Sequence, residues 1–226
     1  MAPDSIFLFA DIAGFTALTE AHGDERAADL VAAFTAQVIA RLSPGTGELV
    51  KSIGDALMLR LESSDEAVEI ACELPGTMAQ RHGYPDVRVG MNRGPAVRRG
   101  DDWFGATVNV AARVTALAGA GDVLLTGTVY DALSEARRVG LIDRGLARLR
   151  NVTDPVRIYA CPPSNLGAPL VTDPVCRMQL DPHSCAGSLD YAGQTFRFCS
   201  LACAELFAAH PERYVEDRHE SRQPDA

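Results

Sequence analysis

Apolar residues change their period along this chain, and the changes mark out its elements. Residues 6–11 form an almost unbroken apolar run closed by Asp11, which predicts a strand buried on both faces with a carboxylate at its end. Gly14 breaks the run and opens a helix. Across residues 25–42 the apolar Leu30, Val31, Phe34, Val38 and Ile39 recur at helical spacing, and Ser43-Pro44-Gly45 ends the pattern. Residues 48–53 and 56–61 read as two strands joined at Gly54-Asp55, where glycine supplies the positive φ of a tight hairpin turn. Ala67, Ile70, Ala71 and Leu74 predict a helix over 65–80, followed by a strand at 87–91. A helix at 108–117, a strand at 123–125, a helix capped by Thr126 or Thr128, and strands within 141–149 and 156–159 complete the pattern. Hairpins and helices mix without strict alternation, so the expected class is α+β rather than doubly wound α/β.

Pro162, Pro163, Gly167 and Pro169 stop this pattern and mark a linker over 162–170. The expected organisation is a first domain over 1–161, a second over 171–217, and a polar tail at 218–226 with little reason to order. With 47% hydrophobic and 23% charged residues the composition excludes a disordered chain. A net charge of −9 excludes broad binding to nucleic acid or anionic membranes, because phosphates demand clustered Lys and Arg. No run approaches the roughly 20 apolar residues of a spanning helix, and Asp4 stands where a basic leader would begin, so a cytoplasmic location is expected. Four of the six cysteines, Cys176, Cys185, Cys199 and Cys203, crowd the C-terminal segment. In a reducing compartment that clustering favours a metal over disulfides, whereas Cys72 and Cys161 lie apart and read as structural.

Three patches carry chemistry. In Asp11-Ile12-Ala13-Gly14-Phe15-Thr16 a buried strand delivers a carboxylate, and a glycine turn then opens a helix whose first N–H groups can meet an anion. In Lys51-Ser52-Ile53-Gly54-Asp55 a hairpin turn presents a second carboxylate beside a strand lysine. In the stretch from Asp101 through Trp103 and Gly105 to Arg113, Asn109 and Arg113 are four apart and share one helix face. Taken singly, each also fits a plain structural role: a helix-capping acid, a solvated turn, a surface arginine lying along its helix.

In their order and spacing the three patches resemble the class III adenylyl and guanylyl cyclases, from Ile6 to Tyr159. The resemblance implies a ferredoxin-like core, a mixed but mostly antiparallel sheet with helices. It implies that Asp11 and Asp55, with the Ile12 carbonyl, hold two Mg²⁺ or Mn²⁺ ions, and that Gly14, Phe15 and Thr16 lie against a triphosphate. Lys51 and Asp102 occupy the purine-reading positions; Asn109 and Arg113 those that orient the ribose and stabilise the reacting phosphorus. Arg88 matches a phosphate-contacting position, and Arg150 stands where relatives carry a lysine, keeping the charge but changing the donor geometry. Adenine offers an amino donor and a ring acceptor, which match acceptor Asp102 and donor Lys51, so ATP is expected over GTP. Because such sites form between two catalytic domains and this chain holds both residue sets, a head-to-tail homodimer is expected. The competing expectation is a weakly catalytic nucleotide binder that senses or carries metal.

The second unit, with Cys176-Arg177-Met178, Tyr191-Ala192-Gly193, the Phe198-Cys199-Ser200-Leu201-Ala202-Cys203 stretch, Phe207 and Tyr214, resembles a YHS domain, a small metal-associated α+β module. Arg177 stands where such modules commonly carry glycine, which is expected to alter a turn more than the ligands. Cys176, Cys199 and Cys203 are the expected thiolate ligands for Zn²⁺ or Cu⁺, with Cys185, His183 or His210 as further candidates.

Overall fold

The computed structural model describes residues 4–42, 45, 47–75, 84–162 and 170–215. They divide into two compact units, one of residues 4–12, 31–75 and 87–162, the other of residues 13–30, 84–86 and 170–215. Strands of the first unit are β1 (Ser5–Ile12), β2 (Gly47–Ile53), β3 (Ala56–Leu61), β4 (Val87–Gly94), β5 (Val97–Arg99), β6 (Asp102–Phe104), β7 (Val123–Thr126), β8 (Ile142–Ala147) and β9 (Val156–Ala160). Helices α1 (Phe15–His22), α2 (Asp24–Ile39), α3 (Ser64–Glu73), α4 (Ala106–Leu117), α5 (Gly127–Asp131) and α6 (Glu135–Arg138) come from the same stretch of chain. The helix expected over 65–80 is α3 as far as Glu73; residues 76–80 lie outside the described residues.

Seven strands form one sheet in the order β2-β3-β1-β4-β7-β9-β8, in which only β4 and β7 run parallel. This is the mixed, mostly antiparallel α+β core expected from the hydrophobic pattern and the family resemblance. At its centre β1 is buried along almost its whole length, as an unbroken apolar run requires. Phe7 and Phe9 on one face of β1 pack with Met58 of β3 and with Val108 and Ala111 of α4. Helix α4 lies close on β4, since a Cβ on Gly90 would stand 2.1 Å from the Thr115 backbone nitrogen. Glycine is required there by space, and the approach fixes the height of the helix that carries Asn109 and Arg113.

Thr126 is the N-cap residue of α5, yet its hydroxyl donates to Asn92 Oδ1 at 2.8 Å and makes no cap bond. Asn92 in turn donates from Nδ2 to the Thr107 carbonyl at 3.0 Å, so this buried polar group is satisfied on both sides. Cys72 of α3 and Cys161, just past β9, bring their sulfurs to 2.6 Å from one another.

The second unit adds β10 (Val171–Thr172), β11 (Gln179–Leu180), β12 (Gly187–Tyr191), β13 (Gln194–Phe198), α7 (Leu201–Ala209) and α8 (Glu212–Val215). Its core joins Phe196, Phe198 and Phe207 to Val175, Cys176, Met178 and Cys203, and it also takes Leu18 of α1 and Ala27 of α2. The Gln179 N–H donates to the Tyr84 carbonyl at 3.1 Å, which ties the β10–β11 hairpin to residues 84–86. Among the described residues no helix is long and apolar enough to cross a membrane.

Candidate functional site

Within the first unit, the turn of the β2–β3 hairpin places Asp55 beside Asp11 at the end of β1. Gly54 takes φ 62°, the left-handed conformation a two-residue hairpin turn needs. Asp11 stands directly across from Arg88 of β4, and Arg88 Nε donates to Asp11 Oδ2 at 2.6 Å. A second guanidinium nitrogen reaches the same oxygen at 2.5 Å. Asp55 is half-buried, and that burial pushes its carboxyl above the ordinary value of 3.8, with the neighbouring charge of Asp11 pushing the same way. Two carboxylates therefore crowd one another, with Arg88 bonded to Asp11. Hard oxygen donors in that state suit a divalent cation such as Mg²⁺ or Mn²⁺, which would relieve the repulsion that raises Asp55.

On the neighbouring edge, Lys51 Nζ donates to Asp102 Oδ2 at 2.6 Å. The register of β2 against β3 slips between Leu49 and Lys51, and this bulge sets Lys51 opposite Met58. Bulges re-aim side chains in this way beside functional sites. Asp102 begins β6, and its Oδ1 accepts the Trp103 N–H at 2.8 Å. Trp103 is itself anchored: its indole N–H donates to Glu48 at 3.1 Å and its ring lies 5.7 Å from that of Phe7. The hydrogen bond from Lys51, and then that from Trp103, hold the Asp102 carboxyl below the usual range, so it is an anion ready to accept.

Asn109 and Arg113 lie on the exposed face of α4, and neither side chain has a hydrogen-bond or ion-pair partner among the described residues. Ile53 at the end of β2 and Phe104 at the end of β6 are likewise about half exposed at 53% and 51%. Arg150 is exposed in the turn after Leu149. The Ile12 backbone closes β1 opposite Val87.

In the second unit, Gly14 takes φ 78° as the N-cap of α1, leading into Phe15 and Thr16. A Cβ on Gly14 would meet Arg177 Cγ at 2.5 Å, so the arginine stem lies on the glycine. Arg177 itself adopts φ 65°, the left-handed region in which glycine is at ease.

Beside this turn the sulfurs of Cys176, Cys199 and Cys203 gather, with Cys199 at 3.5 Å from Cys176 and 3.6 Å from Cys203. Asp173, fully buried, builds the cluster: Oδ1 accepts the N–H groups of Val175 and Cys176, and Oδ2 accepts that of Cys199 at 2.7 Å. One carboxylate thus fixes both thiol-bearing segments. Hydrogen bonds from Cys176 and then Cys199 hold the Cys203 thiol down, to about 2, while the bond to Cys199 pushes Cys176 up. The additional candidates named from sequence stay outside the cluster. Cys185 bonds the Pro182 carbonyl, His210 faces Glu212, and the backbone of His183 bonds Asp181. His22, at the end of α1, joins the three sulfurs instead. Nothing in the spacing of the cysteines points to a histidine 177 residues from Cys199, so sequence reasoning missed it.

The family model described as the adenylate and guanylate cyclase catalytic domain matches residues 4–159, and that of the YHS domain matches residues 171–218. An adenylate cyclase of Streptomyces coelicolor is 38% identical over 122 residues, 54% of this chain and 32% of that protein. A pH-sensitive adenylate cyclase of Mycobacterium tuberculosis is 34% identical over 154 residues, 67% of this chain and 38% of that protein. The match spans about a third of the length of these relatives. Among solved structures, an adenylate cyclase of Trypanosoma brucei in its monomeric state superposes with a TM-score of 0.63 at 26% identity, covering 70% of this chain and 89% of that one.

Proposed function

Because the chain belongs to the adenylate and guanylate cyclase catalytic-domain family and carries a YHS domain after it, we propose that it is an adenylate cyclase, converting ATP into 3′,5′-cyclic AMP and pyrophosphate. The observation that carries the reading is the meeting of Asp11 and Asp55 at the end of β1, with Arg88 on the first of them. Asp11, Asp55 and the Ile12 carbonyl would hold two Mg²⁺ or Mn²⁺ ions, which would supply positive charge to the entering and leaving oxygens. Arg88, which pairs with Asp11, would find a further anionic partner in the triphosphate. Gly14, Phe15 and Thr16, which the family resemblance sets against a triphosphate, are assigned to phosphate contacts, as is Arg150.

The ribose 3′-oxygen attacks the α-phosphorus in line; the bond to the β-phosphate bridging oxygen breaks, pyrophosphate leaves, and the 3′-hydroxyl proton passes to water. Asn109 orients the ribose, and Arg113 meets the charge that grows on the α-phosphoryl oxygens. Lys51 and Asp102 read the purine. Their mutual bond arranges a donor beside an acceptor, the complement of adenine N1 and its amino group and the reverse of what guanine requires.

Asn109 and Arg113 are solvent-facing and without partners among the described residues, and Ile53 and Phe104 expose apolar surface at the ends of β2 and β6. These features support a head-to-tail homodimer in which one chain supplies the carboxylates and the other the purine, amide and guanidinium groups. The unspent polar pair also favours catalysis over a passive nucleotide binder. Purified protein incubated with Mn²⁺ and either ATP or GTP tests the reading. Cyclic AMP should form from ATP well ahead of cyclic GMP from GTP; a GTP preference refutes the base assignment, and absence of both products refutes the activity.

A further inference from the structure

We infer that Cys176, Cys199, Cys203 and His22 form one closed tetrahedral site for Zn²⁺, and that the ion clamps the C-terminal module onto helix α1. The ligand atoms of all four lie within 4.8 Å of one another. Zinc bonded at about 2.3 Å to sulfur and about 2.0–2.1 Å to imidazole nitrogen demands tetrahedron edges of about 3.8 Å between sulfurs and about 3.5 Å between sulfur and nitrogen. Two of the three sulfur pairs, Cys176–Cys199 and Cys199–Cys203, stand at 3.5 and 3.6 Å. His22 Nε2 stands 3.4 Å from Cys199 and 3.7 Å from Cys203. Those separations match the edges on which a zinc ion could sit with little rearrangement.

Donor chemistry selects the ion. Three thiols and an imidazole are the Cys₃His set of structural zinc sites, closed to water because no fourth position is left open. Hard Mg²⁺ or Mn²⁺, proposed for the carboxylates, would find no oxygen donor among these four. Cys176 and Cys203 are buried, and the fully buried Asp173 holds the backbone of Cys176 and Cys199 in place, so this half of the site is built before any ion arrives.

The placement of His22 gives the site its consequence. It is the last residue of α1, the helix that begins at the Gly14 turn, and Gly14 is covered by the stem of Arg177, the residue that follows Cys176. An ion bonded to both Cys176 and His22 therefore closes a loop from the C-terminal module through α1 to that turn and back through Arg177. The cyclase family match covers α1, and the YHS match covers the cysteines, so the ion bridges two sequence families.

The test uses the reduced full-length chain and Zn²⁺ under competition from a chelator that strips carboxylate sites. One Zn²⁺ per chain should remain, and Co²⁺ in its place should give the intense visible bands of a tetrahedral thiolate site. Backbone amides of Phe15–His22 should exchange more slowly with Zn²⁺ than without it. His22→Ala should weaken Zn²⁺ binding by more than the roughly 10–100-fold typical of losing an outer-shell partner, and should abolish the slowing in α1. His22→Cys should restore both, whereas Asp55→Asn should leave both unchanged whatever it does to cyclase activity. Wild-type affinity in His22→Ala, loss in His22→Cys as well as in His22→Ala, or α1 exchange indifferent to Zn²⁺ each overturns the inference. So does Cu⁺ held by the thiolates with no dependence on His22.

Discussion

Replacing Asp55 with Asn separates what the carboxylate does for catalysis from what it costs the fold. Two like charges about 4 Å apart repel by roughly 4 kcal/mol in the medium near a protein surface. Arg88 on Asp11 offsets much of this and water reaches Asp55, so the net relief is expected to shrink to the range of exposed pairs, about 0.2–1 kcal/mol. For a chain of this size about 1 kcal/mol raises Tm by roughly 2–4 °C. Metal-free Asp55→Asn should therefore melt slightly higher than wild type. Mn²⁺ with a non-cyclising ATP analogue reverses the order: ligand at a hundredfold excess over its Kd adds about 2.7 kcal/mol to a protein that binds it, and the variant forgoes that gain. Dye-monitored melting with and without the ligands reads the crossover, and cyclic AMP formation should fall at least about a hundredfold with it. pH gives a further check. The folded-state pKa of Asp55 is raised above 3.8, so the ionised group costs stability above the folded value, and the cost fades as pH falls toward the unfolded one. The metal-free advantage of Asp55→Asn should accordingly be full near neutrality and vanish below pH 3.8. A variant that melts lower than wild type without metal, or that keeps its Mn²⁺ response, refutes the paired-carboxylate reading.

Other outcomes follow from the same geometry. Mixed in equal amounts, Asp11→Ala and Asn109→Ala chains form heterodimers in half the population, each with one intact site, so activity should recover to about a quarter of wild type; a confirmed heterodimer without activity rules out the shared site. Gly14→Ala must place a methyl group against Arg177 Cβ and Cγ at φ 78°, and should cost about 1–2 kcal/mol for the backbone alone, with more from the clash. Arg177→Gly removes the clash, so a thermal-melting double-mutant cycle should show coupling between the two positions; additive effects contradict the contact. Oxidised glutathione should convert Cys72 and Cys161 into a disulfide with release of two glutathione molecules, because the interaction with the neighbouring Cys161 sulfur lowers the Cys72 thiol and makes it the attacking group. Mass mapping would find the crosslink. Closing a loop between residues 89 apart should add up to about 4–5 kcal/mol of stability, which Cys72→Ser forgoes.

How much of this was legible in the chain depends on whether a feature is written locally. The apolar run of β1 and the turn glycine of the β2–β3 hairpin are local, and the structure has both within a residue or so of where the pattern puts them. Their pairing brings Asp11 to Asp55, and the fixed order of three motifs was enough to anticipate it. The bulge between Leu49 and Lys51 is different, because it is a property of how two strands register and leaves no mark in either one. The β5–β6 hairpin was hidden for another reason: its three-residue strands are too short for alternation to declare itself, and Trp103 holds it through Glu48 and Phe7, both remote in sequence. His22 is the extreme case. Its neighbours Ala21 and Gly23 say only that a helix ends, and its meaning arises from Cys199, 177 residues away. Cysteine spacing could count three ligands for a tetrahedral ion and so could announce that a fourth was needed. It could not say which, because nearby candidates such as His183 and Cys185 are favoured by proximity in the chain, whereas coordination is decided by proximity in space.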